Sequence, residues 1–85
     1  MKEKRKRIRE IDKQICDLLI ERGEVAKELA EIKRDRGLNI TDSDQEKVVI
    51  KRAEEWTFDR ADESFRYVPE IFRKIIEFTK VQMWK

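Results

Sequence analysis

Arg22 carries the one charge on an otherwise aliphatic stripe. Ile8, Ile11, Ile15, Leu18, Arg22, Val25, Leu29 and Ile32 follow one another at alternating steps of three and four, which places all eight on one face of a single long helix. A guanidinium stays charged at any working pH, and withdrawing it from water costs several kcal/mol unless something anionic meets it. No Asp or Glu shares the stripe. Arg22 therefore meets an anion from elsewhere, snorkels out at the stripe's edge, or pairs with a carboxylate on another helix. Lys33 lies eleven residues on, about 20° around the helix and about 16 Å along it, so two cations line one side. Asp42 and Glu46, four apart, face one direction at the start of a second helix, and Thr79 places a hydroxyl on the apolar stripe of a third. Together these residues describe a polar pocket between helices, with two cations, two carboxylates and a hydroxyl.

Each residue also has a purely structural reading. Lys33 suits a helix C-terminus, Asp42 and Glu46 suit helix caps, and Thr79 can bond the carbonyl one turn back. The six basic residues of Met1–Arg9 surround their helix and form no stripe. No aromatic stacking set accompanies them, so nucleic-acid binding is not expected.

The elements that must position these side chains are helices. The 85-residue chain has 21 basic and 19 acidic residues, a net charge of +2, two Gly and one Pro. Turns are few, β-branched alternation is absent, and the expected class is all-α, a single domain over 1–85. Cys16 is the only cysteine and there is no His. An intramolecular disulfide is excluded, and neither a zinc site nor His acid–base chemistry is available. No metal or cofactor is expected. Without a long apolar run or a signal-peptide pattern, the chain reads as soluble and cytoplasmic, with no membrane contact.

Helix 1 is expected over about Lys2–Arg36, closed by Gly37. Helix 2 begins in the segment Asp42-Ser43-Asp44-Gln45-Glu46, where Asp42 with Gln45 and Ser43 with Glu46 are competing capping boxes. Its buried side comprises Val48, Val49, Ala53 and Trp56, and it fades near Thr57. Asp59–Ser64 reads as a polar linker. Pro69 suits the first turn of helix 3, which places that helix's start near Val68. Phe72, Ile75, Ile76, Thr79 and Met83 form its inward stripe. Helices 2 and 3, laid end to end, match the roughly 50 Å of helix 1 and make a strip open on one side. A second copy of helix 1 closes it, so length accounting alone leads to an intertwined homodimer.

These residues resemble the small all-helical chorismate mutases. The matching pattern is Arg5, Ile8-Arg9-Glu10-Ile11-Asp12, Leu18-Leu19-Ile20-Glu21-Arg22, Ala30-Glu31-Ile32-Lys33, Gly37, Asp42 through Glu46, and Phe72 to Glu77. The resemblance covers nearly the whole chain and implies an intertwined homodimeric helical bundle with shared active sites. It also implies rearrangement of chorismate to prephenate, toward phenylalanine and tyrosine. By resemblance, Arg22 binds one substrate carboxylate and Arg5 reaches the other from the partner subunit. Lys33 contacts a carboxylate and the ether oxygen, Asp42 and Glu46 sit near the ring hydroxyl, and Thr79 lines the pocket. Two positions depart from the pattern: Gln45 stands where the family usually has Arg, and Met83 where it usually has a Gln donor to the ether oxygen. Gln82, adjacent, is the candidate substitute.

That chemistry suits the residues. A pericyclic rearrangement needs no nucleophile, metal or cofactor. It needs a folded substrate and charge stabilisation where the breaking C–O bond gathers negative charge. The competing expectations are an isochorismate pyruvate lyase, which resembles these mutases in fold and pocket, and a non-catalytic helical dimerisation or regulatory module.

Overall fold

The computed structural model describes residues 1–60 and 62–85. Three helices account for it: α1 over Lys2–Asp35, α2 over Ser43–Thr57 and α3 over Ser64–Met83. The end of α1 is set locally. Gly37 adopts φ +68°, its N–H bonds the Arg34 carbonyl at 3.1 Å, and the Leu38 N–H reaches back to the Lys33 carbonyl at 2.8 Å. This paired closure is the Schellman arrangement, and it needs a residue without a Cβ penalty at position 37. At the start of α2 the two candidate caps resolve in favour of Asp42, whose Oδ1 accepts the Gln45 N–H at 3.0 Å.

The start of α3 differs from the sequence expectation. The helix begins at Ser64, a full turn before Val68, so Pro69 is its sixth residue. Proline has no N–H to return to the carbonyl four residues earlier, which weakens that first turn. Contacts that spacing does not reveal hold it in place. Asp62 Oδ1 accepts the Ser64 N–H at 2.9 Å, and the Arg66 and Tyr67 N–H groups both bond the Glu63 carbonyl at 3.0 Å. Phe65 meets Phe58 edge to face at 6.0 Å. Hydrogen bonds from Ser64, its side chain first and then its backbone, hold the Asp62 carboxyl below the usual range. Ala61, within the expected polar linker, lies outside the described residues.

The layering also differs. α3 packs against both other helices, whereas α2 packs on α3 and not on α1 among the described residues. The two shorter helices are therefore not laid end to end along α1. Nor does α3 cover the aliphatic stripe of α1. It seats on the small residues beside it, Gly23, Ala26 and Ala30, all buried, with Met83 and Ile40 completing the core. Small side chains let helix axes approach closely, and the Arg34 guanidinium clamps the contact by donating to the Met83 carbonyl at 2.7 Å. In α2 the buried residues are Ile50 and Ala53, while Trp56 points outward at 70% exposure. Trp56 and Val48, which is also exposed, are thus not part of the buried side expected for helix 2.

What remains uncovered is large. Every residue from Lys2 to Leu18 is exposed, including Ile8, Ile11, Ile15 and Leu18 of the stripe. The chain presents 7426 Å² of surface, against about 5,400 Å² for a compact monomer of this mass. Its radius of gyration is 15.6 Å, against about 12 Å for a compact domain of this length. No helix of the described residues is long and apolar enough to cross a membrane.

The Gly23 contact can be tested directly. A Cβ there would sit 3.2 Å from Gln82 Cγ and 3.3 Å from the Phe78 ring. Both neighbours are only partly buried and can yield by a few tenths of an ångström, and alanine favours the helix by about 1 kcal/mol. Gly23→Ala is expected to be near neutral in thermal melts. Gly23→Leu is expected to cost about 1–3 kcal/mol by forcing α3 off α1. Equal stability of both variants would show that this crossing is not tight.

Candidate active site

A cleft of about 260 Å³ opens where α1, the loop before α2, the start of α2 and the end of α3 converge. α1 contributes Arg22 and Lys33 with Val25, Ala26 and Leu29 between them. Helical spacing explains this wall: the two cations share a side of the helix, and the aliphatic residues fill the turns that separate them. The capped start of α2 brings Asp42, Gln45 and Glu46, and the end of α3 brings Thr79, Lys80, Met83 and Trp84. Five candidates named from sequence, Arg22, Lys33, Asp42, Glu46 and Thr79, therefore line one cavity.

Arg22 is half-buried, and its partner is a hydroxyl: Nη1 donates to Thr79 Oγ1. The Thr79 hydroxyl donates in turn to the Ile75 carbonyl at 2.8 Å, so its lone pairs are free to receive the guanidinium. The back-bond expected of Thr79 as a structural residue is present, together with a second role. Arg22 makes no ion pair with a carboxylate among the described residues, and neither does Lys33. The Lys33 ammonium donates to the Ile40 carbonyl at 3.3 Å. Both cations thus face the cleft with only neutral partners, next to apolar walls that raise the worth of any anion bound between them.

The acidic side is differently arranged. Asp42 is occupied as the cap of α2, which is its structural reading, yet its residue still lines the cleft. Glu46 pairs with Lys80, Nζ to Oε1 at 2.9 Å. Lys80 is a cleft residue that the sequence reading missed. The available signal was its place between Ile76 and Met83 on α3, one turn after the first and three residues before the second.

Two candidates lie elsewhere. Gln82 is half-buried against Gly23 of α1 and is not among the cleft-lining residues, whereas Met83 is buried in the wall. Arg5 is exposed on the free half of α1, about 25 Å along the helix from Arg22. No nucleophile with an adjacent base is formed in the cleft, since Thr79 gives its proton to a backbone carbonyl. The arrangement suits holding an anionic molecule against a largely apolar wall.

Comparison with known proteins agrees with this chemistry. The chorismate mutase of Methanocaldococcus jannaschii is 46% identical over 48 residues, which cover 56% of this chain and 48% of that protein. The chain thus spans about half the length of the curated relative it matches. No solved structure matches the chain. The chorismate mutase type II family matches over residues 4–83, nearly from end to end, and the chain belongs to that family.

Proposed function

We propose that this chain is a chorismate mutase, an isomerase that rearranges chorismate to prephenate on the route to phenylalanine and tyrosine in the cytoplasm. The observation that carries this reading is the pair Arg22 and Lys33. These two half-buried cations share an apolar-walled cleft, and neither has an acidic partner among the described residues. A dianion supplies the missing charge. Arg22 holds one carboxylate, in the orientation set by Thr79. Lys33 reaches a carboxylate and the ether oxygen, where negative charge grows as the C–O bond breaks. Asp42 and Glu46 receive the ring hydroxyl. The reaction is unimolecular, so fixing the folded substrate and stabilising that one oxygen supplies the catalysis.

The working form we propose is an intertwined homodimer, with residues 1–85 as a single domain in each subunit. The exposed stripe of Ile8, Ile11, Ile15 and Leu18 and the surface excess of about 2,000 Å² over a compact monomer support this. So does Arg5, which is too far from Arg22 to serve the same ligand within one chain.

The decisive assay offers chorismate and isochorismate separately and identifies the products. Prephenate from the first supports the mutase, and salicylate plus pyruvate from the second makes it a lyase. Turnover of neither leaves a dimerisation module. Lys33→Ala is expected to lower kcat about 100- to 1,000-fold with a smaller change in KM, because the ether oxygen gains its charge mainly in the transition state. A change confined to KM would make Lys33 a carboxylate anchor only.

A further inference from the structure

We propose that Lys80 is a positioning residue for this cleft: its ammonium holds the Glu46 side chain in the wall and cancels its charge, so that the cleft accepts a dianion. The proposal deepens the reading of the cleft as a dianion site and rests on it.

The charge balance of the walls leads to this role. α2 contributes only acid to the cleft, Asp42 and Glu46, with the neutral Gln45 between them. Asp42 is engaged with a backbone N–H of its own helix. Glu46 has no such partner, and its side chain is only 28% exposed, so its carboxylate bears on whatever occupies the cleft. Neither cation of α1 forms an ion pair with it among the described residues; they bond instead to Thr79 and the Ile40 carbonyl. Lys80 of α3 meets it at 2.9 Å. With Lys80 the lining holds three cations and two carboxylates; without it the two signs are equal, and a dianion gains no net attraction. Like charges brought together in a partly desolvated site are strongly disfavoured.

The same pair fixes Glu46 in space. Glu46, Ile76 and Lys80 also line a second groove between α2 and α3, so the ion pair forms part of the partition between the two cavities. A glutamate released from Lys80 can turn into that groove and leave the cleft without its acceptor. Lys80 thus acts on the ligand through Glu46 and needs no direct contact with it.

The test uses the full chain as Lys80→Met, Lys80→Arg, Glu46→Gln and the double variant Glu46→Gln with Lys80→Met. Kinetics with chorismate are paired with a readout that needs no turnover. Trp84 lines the cleft, so its fluorescence, followed in a Trp56→Phe background, reports binding of malate, a small hydroxydicarboxylate. Lys80→Met is expected to raise both KM and the malate dissociation constant tenfold or more, with a smaller change in kcat. Lys80→Arg is expected to restore both. In the Glu46→Gln background, Lys80→Met is expected to change either constant less than about threefold, because the carboxylate that Lys80 holds and neutralises is gone.

Unchanged constants in Lys80→Met overturn the proposal. So does an effect of equal size in the Glu46→Gln background, which would mean that Lys80 acts independently of Glu46. If the wild-type chain leaves chorismate untouched while malate binding follows the expected pattern, the mutase reading falls and the role of Lys80 stands. A chain that neither turns over chorismate nor binds malate removes both.

Discussion

Arg22→Met is expected to lower chorismate turnover about 1,000-fold while leaving the melting temperature unchanged or slightly raised. The activity loss follows from removing the guanidinium proposed to hold a substrate carboxylate in a low-dielectric cleft, where one such donor is worth about 100- to 1,000-fold. The stability expectation comes from what the side chain touches. Arg22 donates to Thr79 Oγ1, and that hydroxyl keeps its own acceptor, the Ile75 carbonyl. Removing Arg22 therefore orphans no buried donor. Methionine continues the aliphatic stripe between Leu18 and Val25 with similar length, and a hydrophobe at a partly buried charge often stabilises. Thermal melts and initial rates on the same preparation check both halves. Near-full activity would remove Arg22 from the site, and a collapse in stability would make its bond to Thr79 a structural strut.

Refolding a mixture of two inactive variants is expected to restore activity. Arg5 precedes Arg22 by seventeen residues, which is about 25 Å along α1 and about 100° around it. One straight helix cannot bring both side chains to a small ligand, and in the proposed dimer the partner's helix can. Arg5→Ala and Arg22→Ala chains, each inactive alone, are mixed, unfolded and refolded together. Random pairing makes half the dimers mixed, and one of the two sites in each mixed dimer retains both arginines. Activity is expected to return to about a quarter of the wild-type level. A mixture that contains mixed dimers by mass, yet stays as inactive as its parents, would show that Arg5 does not serve the partner's site.

Sequence alone determined the features that depend on neighbours within a turn or two. Gly37 ends α1 because only a residue free of a Cβ penalty adopts φ +68° there at no cost. For α2 the sequence left two competing caps, Asp42 and Ser43, and the structure selects Asp42, whose carboxylate accepts the Gln45 N–H three residues on. The shared side of Arg22 and Lys33, and the facing of Asp42 with Glu46, are consequences of 3.6 residues per turn. These local facts, with Thr79 on the inward stripe, were enough to name five polar residues of the cleft: Arg22, Lys33, Asp42, Glu46 and Thr79.

Tertiary structure decided what depends on which helices meet. α1 has two candidate faces, an aliphatic stripe and the small residues Gly23, Ala26 and Ala30. Periodicity favours the first, but α3 seats on the second, because small side chains allow the closer approach. The early start of α3, ahead of Pro69, coincides with the Phe58–Phe65 contact across the connection and with the Asp62 and Glu63 hydrogen bonds at its first turn. The pairing of Lys80 with Glu46, 34 residues apart in sequence, arises only because α2 and α3 lie side by side. Gln82 and Met83 illustrate the same division: the sequence offers Gln82 as the site candidate beside Met83 of the inward stripe, and the rotation of α3 against α1 puts Met83 in the cleft wall and Gln82 against Gly23. A one-residue difference on a helix is a turn of about 100°, and only the packing of one helix on another sets which side faces the site.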